Sequence, residues 1–249
     1  AFGPNGCRCV NDEDQYCSYI DPFAEDDDYI HATSAFTPEV SPGGMHYSGG
    51  TLGKLKHGEG VLTLPHGAQY RGQFYMDKMC GEGVFHYPSG SVYTGQWSED
   101  MQDGEGREDW ADGSVFEGSF LRGEKHGYGK FGWANGCSYE GQFEKNDMHG
   151  QGEYLWTDGR GYSGEWTRNQ LGPWGKAWWA DGRVYEGQLL NGQKHGTGML
   201  TIQDGRSYKG DWFEGKQHGL AIVSTTKGVK RWSRWSHGAF VEWTSDVIG

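Results

Sequence analysis

The sequence predicts an all-β chain: an elongated, single-layer antiparallel meander with two strands per 23-residue repeat, preceded by an acidic N-terminal arm. Three observations carry that expectation. The first is composition, 44 glycines among 249 residues with 15% aromatics and a mean hydropathy of -0.80. Aliphatic residues are too few for a deep globular core, and aromatics are too many for a disordered chain. The second is a fixed period, and the third is an alternation of rings and polar residues inside each period.

Residues 1–46 form the arm. They hold nine acids against the single Arg8, with a run of four at 25–28, interleaved with Tyr16, Tyr19, Ile20, Phe23, Tyr29 and Ile30. Such a segment is expected to cap the first hairpin or dock on a partner, with Asp12 starting a short helix through Tyr16, Tyr19 and Ile20 that Pro22 ends. The chain starts at Ala1 without a Met, which fits a removed presequence or a piece of a longer chain. Its start therefore leaves open an intracellular, cytoskeletal or ciliary setting and an organelle.

Residues 47–230 hold eight repeats without insertion or deletion, beginning at Tyr47, Tyr70, Tyr93, Phe116, Tyr139, Tyr162, Tyr185 and Tyr208. Glycine occupies the third and twenty-first positions of every copy. The fifth position is Phe74, Trp97, Phe120, Phe143, Trp166, Leu189 or Trp212, with Thr51 in the first copy. Each unit reads as a hairpin. A first strand alternates ring, Gly and ring against residues such as Glu140 and Gln142, and a polar turn such as residues 144–147 follows. A second strand places Gly152, Tyr154 and Trp156 on one face, and a turn such as Asp158-Gly159 closes the unit with a positive φ. The third-position glycine leaves bare backbone for a ring from the neighbouring strand. At roughly 4.8 Å per strand, eight repeats would make a ribbon on the order of 75 Å long.

These residues resemble the MORN repeat family. The pattern Tyr-x-Gly-x-Trp/Phe … His-Gly-x-Gly … Asp-Gly-x-x-Tyr-x-Gly is clearest in YEGQLLNGQKHGTGMLTIQDGRS, residues 185–207, and holds register across 47–230. The resemblance implies a rod-like antiparallel sheet that often self-associates and serves as a scaffold. Family roles include ciliary radial spokes, apicomplexan cytoskeletal rings, membrane junctions and organelle-division machinery. Phospholipid-headgroup recognition is the alternative proposed for such repeats. The family sometimes precedes lipid-kinase or SET-type methyltransferase modules, but only about twenty residues follow the array here, so no such module is expected within this chain.

Residues that could carry chemistry read mainly as structure. His57, His126, His149, His195 and His218 recur at the eleventh position. Successive copies about 10 Å apart cannot share one ion with bonds near 2 Å, so they read as hairpin-end residues. Asp112, Asp158, Asp181 and Asp204, one per repeat, read as turn formers rather than paired carboxylates. The Gly-x-Gly pairs lack a strand-to-helix setting for a dinucleotide. Cys7, Cys9 and Cys17 with His31 admit zinc, a disulfide or free thiols, whereas Cys80 and Cys137 lie two repeats apart, beyond disulfide reach. No cofactor, metal or enzymatic activity is expected.

Three places break the pattern. The sixth repeat has Leu171-Gly172-Pro173-Trp174 where others have His-Gly, which suggests an exposed Trp174. The third has Arg107-Glu108-Asp109 where an apolar residue is usual. The period breaks near residue 230, and residues 231–249 read as an aromatic cap with Trp232, Trp235, Phe240 and Trp243. The expected partner-binding set is the ring face, Tyr70, Phe74, Tyr93, Trp97, Phe116, Phe120, Tyr139, Phe143, Tyr162 and Trp166, together with Trp174, Trp232 and Trp235. The expected function is a non-enzymatic scaffold subunit that binds other proteins and offers a terminal edge to a second copy. At a net charge of -12 nucleic acid is disfavoured, and membrane contact is at most peripheral, through residues 227–235.

Overall fold

The computed structural model describes residues 44–248 and two short strands nearer the N-terminus, β1 (Cys7–Arg8) and β2 (Ser18–Tyr19), which pair antiparallel. The metal and disulfide readings of Cys7, Cys9, Cys17 and His31, and the capping role of the arm, lie outside the described residues. Ser18–Tyr19 is strand where a helix was expected from Asp12; the rest of that expectation also lies outside them.

From His46 onward the described chain is strand and turn with no helix. The strands are β3 (His46–Leu52), β4 (Leu55–Thr63), β5 (Gln69–Tyr75), β6 (Lys78–His86), β7 (Val92–Ser98), β8 (Met101–Asp109), β9 (Val115–Leu121), β10 (Glu124–Gly132) and β11 (Ser138–Glu144). They continue as β12 (Asp147–Leu155), β13 (Gly161–Thr167), β14 (Gln170–Trp178), β15 (Val184–Leu190), β16 (Gln193–Thr201), β17 (Ser207–Phe213), β18 (Lys216–Ser224), β19 (Lys230–Ser236) and β20 (Ala239–Ile248). They fall into two compact units divided between Asp147 and Met148. In the first, each strand from β3 to β11 pairs antiparallel with the next. In the second the same holds from β12 to β20.

The loop inside each hairpin is two residues long, tighter than the polar turn read from the sequence. Between β7 and β8, Glu99 and Asp100 both take positive φ, 50° and 69°, and Arg168 and Asn169 do so between β13 and β14 at 49° and 63°. This doubly left-handed turn matches the twist of the flanking strands. Asp and Asn tolerate it, and their side chains also tie one repeat to the one before. The Met79 N–H donates to Asp100 Oδ1 at 2.8 Å, and the Met148 N–H donates to Asn169 Oδ1 at 2.8 Å. Replacing Asp100 with alanine removes the acceptor and the tolerance for positive φ, so a loss of about 1–2 kcal/mol is expected in chemical denaturation.

The second strand of each hairpin carries a bulge that the sequence reading did not anticipate. Gly58, Gly81, Gly104, Gly127, Gly150, Gly196 and Gly219, the residues after the eleventh position, all take positive φ between 58° and 104°. The fourth-position side chain fills the gap, as where the Thr197 N–H donates to Gln188 Oε1 at 2.8 Å. The sixth repeat has Pro173 there, whose ring forbids positive φ. Its bulge is instead accommodated at Gly172, where a Cβ would lie 2.5 Å from the Glu165 Cβ.

The closing turns match expectation. Their glycines, from Gly67 to Gly228, take φ between 77° and 93°. The Ser114, Arg160, Arg183 and Arg206 N–H groups donate to Asp112, Asp158, Asp181 and Asp204 Oδ1 at 2.8–3.1 Å, which makes these aspartates turn formers. The spacing also continues beyond residue 230. β19 and β20 form a ninth hairpin in step with the others, with Ser233 in the glycine position, Trp235 in the ring position and His237-Gly238 as the loop. The Gly238 N–H donates to the Gln217 carbonyl at 2.8 Å, as the Gly215 N–H does to that of Lys194 at 2.9 Å one repeat earlier.

Candidate functional site: interaction surfaces

The ring face is the core of each unit. Tyr70, Tyr93, Phe116, Tyr139, Tyr162 and Tyr185 are fully buried, and Phe74, Trp97, Phe120, Phe143 and Trp166 are no more than 6% exposed. Each first-position ring folds back over the glycine pair of its own hairpin. A Cβ on Gly106 would sit 2.6 Å from Tyr93 Cζ, and one on Gly72 would sit 2.6 Å from the Gly83 Cα. The ring therefore comes from the same strand as the third-position glycine, not from the neighbouring strand as expected. The Tyr93 hydroxyl then donates to the Gln96 carbonyl at 2.9 Å. Burial pushes the Tyr139 and Tyr208 phenols up, the latter to about 12.

Fifth-position rings connect the repeats. Trp97 meets Tyr70 of the preceding repeat edge-on at 5.2 Å and its own Tyr93 at 5.2 Å, and its Nε1–H donates to the Gly83 carbonyl at 3.3 Å. The chain of edge-to-face contacts continues through Phe120, Phe116 and Phe143 to Tyr139. In the second unit Tyr185, Trp212, Tyr208 and Trp235 repeat it.

Ten residues of the expected partner-binding set are thereby corrected: Tyr70, Phe74, Tyr93, Trp97, Phe116, Phe120, Tyr139, Phe143, Tyr162 and Trp166 are core. A sheet one layer thick still has to bury its rings, and it does so against its own glycines. The other three differ. Trp174 and Trp232 are 47% and 39% exposed on the opposite, outer face, and Trp235 is half-buried against Tyr208 and Phe240.

The third-repeat irregularity is a compensated pair. Glu108, where other repeats have Leu62, Phe85 or Phe131, lies beside Lys125 Nζ at 3.8 Å with both side chains nearly buried. The ammonium in turn sits 4.9 Å from the Trp110 ring and 5.5 Å from that of Phe116. Burial pushes the Glu108 carboxyl up, and Lys125 pulls it part of the way back. Arg107 and Asp109 face outward and pair with each other at 2.7 Å.

The eleventh-position histidines sit just before the bulge glycines, beside rings of the next hairpin. His57 lies 5.3 Å from Tyr75, and His195 lies 5.4 Å from Phe213. His218 and His237 stand 4.9 Å apart, a pairing hidden from the repeat pattern because His237 is a loop residue. Among the described residues no three His, Cys, Asp or Glu side chains are placed to hold a metal ion. A 590 Å³ hollow between the hairpin loops of the second unit is lined by Leu190, Asn191, Gln193, His195, Phe213 and Glu214.

The outer faces of the two units differ in chemistry. In the first, the cross-strand row runs Val61, Arg71, Val84, Thr94 and on to Arg107, which pairs with Glu117 at 3.5 Å, and Lys130, which pairs with Glu140 at 3.4 Å. In the second, the corresponding cross-strand row runs Met199, Lys209, Ile222, Trp232. Residues 207–236 carry six Lys or Arg against two acids, within a chain of net charge -12.

Hairpins of one length, welded through rings laid on glycines, define an antiparallel hairpin-repeat protein. The chain belongs to the MORN repeat family, whose pattern matches residues 47–69, 70–92, 93–115, 116–138, 139–159, 185–205 and 208–222. The sixth repeat, where Gly172-Pro173 replaces His-Gly, falls between these matches. No curated protein matches the chain. Among solved structures it is similar to the TCP domain of Drosophila melanogaster SAS-4 (dCPAP) in complex with a proline-rich motif of Ana2 (dSTIL). That likeness has 12% identity and a TM-score of 0.40, covering 61% of this chain and 83% of that one. It is also similar to the wild-type TCP10 domain of Danio rerio CPAP in complex with a STIL peptide, at 13% identity and a TM-score of 0.25, covering 81% and 100%. Likenesses of that size say nothing about this chain's partners.

Proposed function

We propose that the chain is a non-enzymatic scaffold subunit of a larger protein assembly, which it holds through the outer faces of its repeat units. The observation that carries this reading is the inversion of roles among its aromatics. The repeated rings form the core, while Trp174 and Trp232, at positions where the repeat is irregular, stand exposed on the outer face. Solvent-exposed tryptophans on a stiff sheet suit protein recognition. The test is to follow the tagged full chain in native extracts by sizing and crosslinking. Co-migration with a stoichiometric protein partner supports the reading, with the partner lost in Trp174→Ser or Trp232→Ser at unchanged melting temperature. Migration as the chain alone contradicts it. Both side chains are exposed, so each substitution is expected to change stability by less than about 0.5 kcal/mol.

Headgroup binding draws less support. Of the four cations near the last repeat, Arg231 lies over the Trp243 ring at 4.6 Å and Arg234 pairs with Glu242 at 3.2 Å, which leaves Lys227 and Lys230. Two such charges contribute about 1 kcal/mol each at an anionic surface. Weak, salt-sensitive co-sedimentation with phosphatidylserine vesicles is therefore expected. Tight binding that survives charge reversal at Lys227, Lys230, Arg231 and Arg234 would overturn that expectation.

A further inference from the structure

We infer that the outer face of β16–β19 is a docking site for an acidic protein segment that also carries apolar side chains. The inference deepens the scaffold reading and rests on it, by assigning one surface and the chemistry of its partner. Strand register puts Met199, Lys209, Ile222 and Trp232 directly opposite one another in a single cross-strand row. Leu220 lies on the same face beside Arg234. Met199 is 39% exposed and Leu220 45%, so water covers a short apolar strip of three strands and more.

Three cations around the strip are unpaired, while Arg234 is held by Glu242 and two acids share the face, Glu186 opposite Met199 and Asp211, which accepts the Leu220 N–H. Lys209 interrupts the row, Lys230 stands two residues from Trp232 on the same face of β19, and Lys227 lies in the preceding turn. None of the three makes an ion pair among the described residues. The equivalent row of the first unit is mixed: Arg107–Glu117 and Lys130–Glu140 are paired, and Arg71, between Val61 and Val84, makes no ion pair among the described residues. A free ammonium beside an exposed indole is complementary to a carboxylate beside an apolar side chain.

A peptide fits better than a bilayer. In an extended segment the side chains of one face recur about every 6.5–7 Å, so a segment in which acids and apolar residues alternate along that face reaches both the strip and its rim.

The experiment titrates the full chain into a fluorescein-labelled peptide repeating Glu-Glu-Phe-Leu, which alternates acid and apolar side chains along each face, beside a peptide repeating Lys-Lys-Phe-Leu and phosphatidylserine vesicles. The acidic peptide is expected to bind with an affinity that falls as salt rises. The double variant Lys209→Glu, Lys230→Glu should weaken it at least about tenfold, and Trp232→Ser should weaken it by a similar factor. The Lys peptide is expected not to bind. The inference is overturned if the acidic peptide fails to bind, if it binds the charge-reversed chain equally well, or if the vesicles alone are bound. These outcomes are read on the peptide. The scaffold reading is read on the native complex, so either can fail while the other stands.

Discussion

Replacing Tyr93 with alanine is expected to cost about 3–5 kcal/mol, the penalty for emptying a large fully buried side chain. The sharper result comes from pairing it with Gly106→Ala. In the parent chain a Cβ at Gly106 would meet the Tyr93 ring at 2.6 Å, and the three nearest atoms, the hydroxyl oxygen among them, all belong to that side chain. Overpacking of this kind costs about 1–3 kcal/mol. Once Tyr93 is alanine the obstacle is gone. The same glycine substitution should then be neutral or stabilise by about 0.4–1 kcal/mol, because it restricts the unfolded chain. A coupling of more than about 1 kcal/mol in the double-mutant cycle by urea denaturation is the expected outcome. Additive losses would mean that the ring does not rest on the glycine.

The second large effect lies at Glu108 and Lys125. Removing one member of a nearly buried pair leaves the other charge without compensation and costs about 3–5 kcal/mol, so Lys125→Met should be severe. The double variant Glu108→Phe, Lys125→Met restores the composition of neighbouring repeats, where Phe85 and Phe131 stand in the Glu108 position and Met79 and Met148 in the Lys125 position. It should be as stable as the parent or more so. The pair also predicts a pH dependence. The Glu108 carboxyl is raised above its ordinary value near 4.5 in the folded chain. Its folded form therefore binds a proton more tightly than the unfolded form, and the resulting stability is present below about pH 4.5 and lost as pH rises through the raised value. Melting temperature measured across that window should fall with rising pH less in Glu108→Gln than in the parent chain.

The fold was legible because one period repeats every constraint. Gly159 and its counterparts announce a turn, and Tyr139-x-Gly141 announces a strand that alternates. The face that binds was harder to read, because a single-layer sheet has no obvious inside. Rings in a row suggest a surface, and only the Tyr93 ring folded onto Gly106 shows that they are the core. The bulge at Gly104 and its counterparts went unread because a glycine after histidine is equally compatible with a plain strand. The ninth hairpin was masked by Arg231 and Ser233, which stand where Tyr and Gly would mark a repeat. Trp174 was visible in advance, since Pro173 breaks a rule that the other repeats keep.

The direct test of the scaffold account is site-specific crosslinking in the native assembly, with Trp174, Trp232 or Phe120 replaced one at a time by a photoreactive phenylalanine. Adducts to a partner protein from positions 174 and 232, with none from the buried position 120, are the predicted result. Adducts from position 120 in a chain that keeps the parent's melting temperature, with none from the two outer positions, would contradict the account.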